Sequence, residues 1–324
     1  MLKVAIIGNT SWGNSLATLL SDKGAQVKLW TRSEVEAEEL NEGTHSYSST
    51  HNIEEALNGA AVVIWAVPSQ TLRQNVILTT HYVTESMLLV SAAKGLEADT
   101  GKRMSQVIAE EISPLRGQIC VLSGPNLAKE ISQGLPAASV IASQDVMVAE
   151  RARKLVECAN FVISTSDDVI GVELGGALKN IVALGAGMVD GLGLGDNAKA
   201  AFITWGWTEL VSLGVALGAK VNTFYGLAGL GDLITTCASN LSRNHYVGYE
   251  LAQGRSLSEI RASMSQVAEG VYTTRAIHRL AREIRVKLPL TNIIYDILLQ
   301  NLSTEEAQNA FRGLRENHYQ PILR

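Results

Sequence analysis

A lysine set among apolar neighbours is the residue of this chain that most needs a chemical explanation. Lys179 stands in DDVIGVELGGALKNIVALGAG, flanked by Ala177, Leu178 and Ile181, and an ammonium in such a setting is costly without a partner or a lowered pKa. Gly171, Gly175 and Lys179 recur at a spacing of four, with Gly176 and Asn180 on the adjacent row, so they share a helix face. A glycine inside a helix costs roughly 1 kcal/mol relative to alanine. That face therefore implies a close approach, either of a ligand or of a crossing helix. Packing accounts for the glycines but not for the lysine. A second lysine, Lys94, follows the apolar run of LLVSAAKGLE, which places it at the carboxyl edge of a sheet, where open parallel sheets bind ligands. Should the two lysines converge across a cleft, each disfavours protonation of the other, which suits general acid and base work near neutral pH. Two unrelated surface lysines are the plain alternative.

Further along, GLAGLGDLITTCASNLSRNHYVGYELAQG offers Asp232 after a glycine-rich turn, then Ser242, Arg243 and Asn244 at a helix start. Ser242 suits an N-cap. An arginine in a first turn opposes the helix dipole, whereas a phosphate bound there satisfies both the guanidinium and the exposed N–H groups. A solvated surface arginine is the competing explanation.

The amino-terminal segment VAIIGNTSWGNSLATLL reads as a strand, a tight turn and a helix, the context that a dinucleotide-binding fingerprint needs. Gly8 permits the turn and Gly13 lets the helix approach the strand, which aims N–H groups at a pyrophosphate. Thr10 replaces the middle glycine, so either the turn is displaced or its hydroxyl joins the phosphate contact. Arg32 lies nineteen residues beyond Gly13, after the strand VKLW, with no carboxylate at the strand end. An arginine there accommodates a 2′-phosphate, which points to NADP(H), or to both NADP(H) and NAD(H).

The elements that position these groups follow from the apolar runs. Val4 to Gly8, Gln26 to Trp30, Ala61 to Val67, Met87 to Ala92, Ile119 to Leu122, Ala138 to Ile141 and Phe161 to Ile163 are short and continuous, as in strands covered on both faces. Helical spacing lies between them, at Asn14 to Lys23 and Thr100 to Glu111. This predicts an α/β, Rossmann-like parallel sheet domain over 1–165. Beyond Ser166 only helices are expected, at Asp168 to Asp190, Asn197 to Leu217, Arg243 to Gln253, Thr273 to Glu283 and Leu290 to Leu299. A helical substrate-binding domain over 166–324 results, with a ligand cleft between the two.

Composition bounds the remaining possibilities. The 324 residues are 46% hydrophobic and 18% charged, a folded globular composition. The 27 basic and 32 acidic residues give a net charge of -5, so no broad field draws nucleic acid or an anionic membrane. Cys120, Cys158 and Cys237 are odd in number and lack metal-site spacing, which points to free thiols in a reducing compartment and no metal. No leader pattern is evident and no apolar stretch is read as long enough for a span. The expectation is a cytoplasmic protein without stable membrane insertion.

Taken together, IIGNTSWGNSLA, SAAKGLE, VLSGPNLAKE, GVELGGALKNIVALGAGMVDGLGLGDNAKAA, GLAGLGDLITTCASNLSRN and AEGVYTT resemble the NAD(P)-dependent glycerol-3-phosphate dehydrogenases of the bacterial type. The resemblance covers nearly the whole chain. It implies a 6-phosphogluconate-dehydrogenase-like pair of domains, reversible reduction of dihydroxyacetone phosphate to sn-glycerol 3-phosphate, a role in phospholipid synthesis, and a homodimer. It further implies that Lys179 is the general acid and base, with Lys94 binding substrate and stabilising the developing alkoxide. Asp232, Ser242, Arg243 and Asn244 fall on substrate contacts, with Arg243 also near the cofactor, and Asn180 becomes an orienting group. Gly124 and Asn126 fall on the substrate turn, while Gly8, Thr10, Ser11, Trp12, Gly13, Arg32, Lys94, Ala128, Val267 and Glu269 fall on cofactor positions.

The chain departs from the family pattern at Thr10, at Asn126 where serine is usual, and at Trp205 where arginine is usual; the loop near 41–52 is also short. Two other readings compete. A hydroxy acid or 6-phosphogluconate-type dehydrogenase shares the plan and a catalytic lysine, but does not need the Asp232 and Ser242-Arg243-Asn244 constellation. A non-catalytic nicotinamide sensor has only Thr10 and Trp205 in its favour.

Overall fold

A computed structural model describes residues 1–113, 118–239, 242–264 and 268–299, together with 302, 305, 306 and 309. The chain forms two compact units. The first comprises residues 1–94 and 103–173, and the second residues 95–102 and 174–324.

In the first unit the strands are β1 (Lys3–Ile7), β2 (Gln26–Trp30), β3 (Ser48–Thr50), β4 (Val62–Trp65), β5 (Leu88–Ser91), β6 (Ile119–Ser123), β7 (Ala137–Ala142) and β8 (Phe161–Ser166). Helices α1 (Ser11–Asp22), α2 (Glu34–Glu42), α3 (Ile53–Leu57), α4 (Leu72–Thr79), α5 (Met104–Glu111), α6 (Ala128–Ser132) and α7 (Val146–Val156) alternate with them. The sheet order is β3-β2-β1-β4-β5-β6-β7-β8. Its direction of winding reverses between β1 and β4, the point where a doubly wound sheet opens a crevice at its carboxyl edge.

The continuous apolarity of the runs has the expected cause. Every residue of β4, β5 and β6 is buried, because helices cover both faces. Val4 and Ile6 pack with Leu16 and Leu20 of α1 and Ala152 of α7. Ala5 and Ile7, pointing the other way by the period of two, pack with Leu72 and Val76 of α4 and Ile108 of α5.

The sheet is mostly parallel, with one departure from the expected pattern: β7 runs antiparallel to β6 and parallel to β8. Between β6 and β7 the chain stays at the carboxyl edge, where Ala128 O at the start of α6 accepts a hydrogen bond from Ser15 Oγ of α1 at 2.8 Å. It re-enters the sheet from that edge and must therefore run backwards. The short loop near 41–52 also holds a strand the periodicity missed, β3, whose three residues are too few to show alternation.

The second unit contains α8 (Val169–Gly191, which begins in the first unit), α9 (Asp196–Ala216), a 3-10 turn (Val221–Tyr225), a π-helical turn (Leu227–Gly231), α10 (Asp232–Ala238), α11 (Arg243–Ala252), α12 (Leu257–Ala262), α13 (Glu269–Glu283) and α14 (Pro289–Leu299). Among its described residues there is no strand. Helix α8 corrects the reading that no stretch reaches membrane length, since its 23 residues pass on length and composition. Of its most apolar window, however, 94% is buried inside the protein, so it is a core helix.

The backbones of α8 and α11 cross very closely. A Cβ added at Gly187 would overlap His245 O, and one added at Gly248 would overlap Leu184 O. The α14 N-terminus is held by a buried carboxylate, with Glu209 accepting from Leu290 N at 2.9 Å, Thr291 N at 2.9 Å and Thr291 Oγ1 at 2.7 Å.

Candidate active site

At the carboxyl edge of the first unit, Gly8 adopts φ +121°, a region that only glycine enters readily. Gly13 is equally constrained, because a Cβ there would overlap Gly8 O. Thr10, the replaced middle glycine, is the N-cap of α1: its Oγ1 accepts from Gly13 N at 3.0 Å and donates to Ala66 O at 2.7 Å. The threonine hydroxyl is thus spent on capping the helix and on its bond to Ala66 O. Ser11 and Trp12 form the first turn of the helix, whose N–H groups lack intrahelical acceptors. The Ser15 bond brings Ala128 to the same place.

Arg32 is exposed two residues beyond β2. Its backbone N–H reaches Glu36 Oε2 at 3.3 Å. The strand end is therefore not devoid of a carboxylate, as the linear sequence suggested; α2 folds one back to it.

Lys94 follows β5 at this edge and is half-buried, with Nζ donating to Gly124 O at 2.6 Å. Gly124 has φ +151°, and a Cβ there would stand 2.7 Å from Ser139 Oγ and 2.8 Å from Ser139 Cα. Asn126 Oδ1 accepts from Ser139 Oγ at 2.5 Å. Among the described residues no hydrogen bond reaches the buried atoms Trp12 Nε1, Ser91 Oγ, Ser123 Oγ or Asn126 Nδ2. Leaving such an atom unsatisfied costs about 1–3 kcal/mol. Buried groups with hydrogen-bonding capacity to offer, beside a glycine turn at a helix N-terminus, fit a bound dinucleotide and a polar substrate.

The lysine of the second unit finds the partner its apolar setting demands. Lys179 Nζ donates to Asp232 Oδ1 and to Thr236 Oγ1, each at 2.6 Å. All three residues are buried. Thr236 in turn donates to Asp232 O at 2.7 Å, so α10 presents both groups to the lysine on one turn. Thr236 escaped the sequence reading; the signal was its position four residues after Asp232, on the same helix face. Gly175 allows the approach, since a Cβ there would lie 2.7 Å from Ala228 O in the turn leading to Asp232. Its close neighbour is this backbone turn.

Asn180 and Asn244 are buried and bonded to each other, Asn244 Nδ2 donating to Asn180 Oδ1 at 2.8 Å. Asn244 Oδ1 accepts from Gly270 N at 2.9 Å, in the first turn of α13 beside Glu269. Ser242 caps α11 by accepting from His245 N at 3.2 Å. Arg243 is exposed. Loss of water around its guanidinium holds the pKa below the ordinary arginine value, and Glu269 pulls it the other way. Among the described residues the Arg243 guanidinium makes no hydrogen bond or salt bridge, and Glu269 acts on it only at longer range. Cys237, next to Thr236, is buried, and burial pushes its thiol up to about 12 despite the Lys179 charge. Trp205 is half-buried on α9. Val267 lies outside the described residues, and no group of metal-ligating side chains occurs among those described.

A doubly wound sheet unit with a glycine turn, followed by a helical unit with a buried Lys-Asp-Thr cluster, is the plan of a two-domain nicotinamide-dependent dehydrogenase. Residues 3–149 match the family model for the N-terminus of NAD-dependent glycerol-3-phosphate dehydrogenase, and residues 168–309 match the model for its C-terminus. The chain belongs to this family.

A glycerol-3-phosphate dehydrogenase [NAD(P)+] of Dehalococcoides mccartyi is 52% identical, covering 98% of this chain and 92% of that one. One from Corynebacterium glutamicum is 42% identical, covering 97% of this chain and 98% of that one. The crystal structure of glycerol-3-phosphate dehydrogenase from Coxiella burnetii superposes with a TM-score of 0.90 at 33% identity, covering 98% of this chain and 99% of that one.

Proposed function

We propose that this chain reversibly reduces dihydroxyacetone phosphate to sn-glycerol 3-phosphate with NADH or NADPH, supplying glycerophospholipid synthesis, and that Lys179 is its general acid and base. The observation that carries the assignment is the buried Lys179 ammonium held by Asp232 and Thr236. Its two bonds fix Nζ while leaving it a third donor. When bound, the nicotinamide supplies the hydride to C2 of the substrate. Lys179 gives the proton to the C2 oxygen in that direction and takes it back in the other. Lys94, oriented by Gly124 O, is the lysine that binds substrate and stabilises the developing alkoxide.

Arg243 and the first-turn N–H groups of α11 take the substrate phosphate, and Asn244, locked by Asn180 and Gly270, holds that turn in place. Gly8, Thr10, Ser11, Trp12 and Gly13 form the coenzyme turn, with Arg32, Ala128, Val267 and Glu269 completing the coenzyme contacts. The substrate turn is Gly124 and Asn126. The division into a coenzyme domain and a substrate domain follows these assignments. Three cysteines without a disulfide support a cytoplasmic location, and the resemblance supports a homodimer, which sedimentation at working concentration tests.

The decisive assay follows nicotinamide absorbance with dihydroxyacetone phosphate and with a panel of hydroxy acids. Turnover of the phosphorylated ketone, lost in Lys179→Ala with coenzyme binding kept, supports the assignment. Turnover of a hydroxy acid alone overturns it.

A further inference from the structure

The helix that offers Arg243 to an anion is pinned by a second contact. His245 Nε2 and Asp190 Oδ2 are 2.7 Å apart, and Lys199 Nζ donates to the same carboxylate oxygen at 2.5 Å. Asp190 lies at the carboxyl end of α8, Lys199 on α9 and His245 in the first turn of α11. Burial alone raises the Asp190 carboxyl, but the bonds from Lys199 and His245 outweigh it and hold its pKa below the ordinary value.

Side chains of α8 grip α11 at two points near its N-terminus, and at the far end Gln253 Nε2 donates to Gly191 O at 2.6 Å. Asn180 takes Asn244 and Asp190 takes His245, and between them the backbones meet at Gly187 and Gly248. The backbone contacts fix the separation of the two helices, and the Asp190–His245 pair adds resistance to rotation of α11 about its own axis at its N-terminal end. Residues two apart on a helix point about 160° away from each other. Holding His245 against α8 thus turns Arg243 to the opposite, exposed side.

We infer that His245 is a positioning residue: through Asp190 it sets the rotation of α11 and hence where Arg243 meets the substrate phosphate. The inference rests on the phosphate role proposed for Arg243, so binding and turnover must be read separately. The experiment compares wild type, His245→Ala and His245→Gln by calorimetric titration with sn-glycerol 3-phosphate, by steady-state kinetics and by thermal melting.

Loss of the pin is expected to raise both the Kd for sn-glycerol 3-phosphate and the KM for dihydroxyacetone phosphate about fivefold in His245→Ala, about 1 kcal/mol at 1.4 kcal/mol per tenfold. Little change is expected in kcat or in coenzyme Kd. Glutamine, which keeps an N–H donor at similar reach, should restore most of the loss. An unchanged Kd in His245→Ala overturns the inference, as does a loss that glutamine leaves uncorrected and that tracks a lowered Tm. Wild type that binds sn-glycerol 3-phosphate without oxidising it overturns the proposed reaction while leaving the comparison of His245 variants intact. Wild type that fails to bind it overturns both.

Discussion

Lys179 Nζ lies 2.6 Å from Asp232 Oδ1, although 53 residues separate the two in the chain. Both are buried, at 7% and 2% exposure, so each charge depends on the other for compensation. A buried pair of this kind is weak evidence for stability, but it fixes the position of the ammonium, which suits the general acid and base role proposed for it.

Removing the lysine should cost most of the chemistry, and because it also leaves Asp232 buried without its cation, thermal melting accompanies the assay. In Lys179→Met, kcat is expected to fall by roughly 10²–10⁴, the range of general acid and base catalysis, with coenzyme affinity little altered in a fluorescence titration. Asp232→Ala leaves an uncompensated buried ammonium and should lower the unfolding free energy by about 3–5 kcal/mol, read by denaturant titration. A kcat for Lys179→Met within tenfold of wild type contradicts the role assigned to it.

The glycine turn separates two effects. Gly13→Ala drives a Cβ into Gly8 O and should abolish tight coenzyme binding, because backbone cannot yield as a side chain does. Thr10→Ala removes only the cap and the bond to Ala66 O, costing about 1 kcal/mol of stability. Equal coenzyme affinity in Gly13→Ala and wild type rejects this account of the turn.

Arg32→Ala should weaken NADPH more than NADH, since only the former carries a 2′-phosphate for the guanidinium. Paired titrations measure the ratio. The nearby Glu36 carboxylate leaves the NADH side of that ratio with its own polar partner. Unchanged NADPH affinity in the variant, with NADH affinity equal or better, argues against the role.

Thiol reactivity should follow burial. Burial pushes both Cys120 and Cys237 up to about 12, so at pH 8 only about one molecule in 10⁴ carries the reactive thiolate at either site. Iodoacetamide should label the half-buried Cys158 first, with the other two labelled only after unfolding. Peptide mapping that finds Cys237 alkylated in the folded chain refutes this order.

Acid should weaken the contact between α8 and α11. The folded pKa of Asp190 is depressed, so its contribution is complete above the ordinary aspartate value of about 3.9 and is lost as pH falls through the lower folded value. Denaturant titrations at pH 6, 4 and 3 should show wild type losing its advantage over Asp190→Asn only at the acid end. A difference between the two that grows below pH 4 has the wrong sign.

Local sequence carried most of the framework. Short continuous apolar runs specify strands buried on both faces, and Gln26–Trp30 appears as read. Helix α8 was expected over Asp168 to Asp190 and spans Val169–Gly191, because a long apolar helix announces itself through many turns. Ser242 was legible as a cap because capping needs only its own residue and the next three. Gly8 and Gly13 were legible because one adopts a left-handed backbone and the other leaves no room for a Cβ, both local demands of a strand-turn-helix.

What the sequence left open depends on residues far apart in the chain. The partner of Lys179 was reducible to a short list by chemistry, yet the choice of Asp232 with Thr236 required α10 to be placed against α8. The reversed β7 followed from where α6 packs, and the spent hydroxyl of Thr10 from its reach to Ala66 O. The links from Asn244 to Asn180 and from His245 to Asp190 likewise exist only because glycines let α8 and α11 cross closely. Residue spacing determined which elements form and which groups are chemically capable. Tertiary packing decided which groups meet, since a hydrogen bond forms only within a few tenths of an ångström of its preferred length and no local pattern encodes that distance across 50 or more residues.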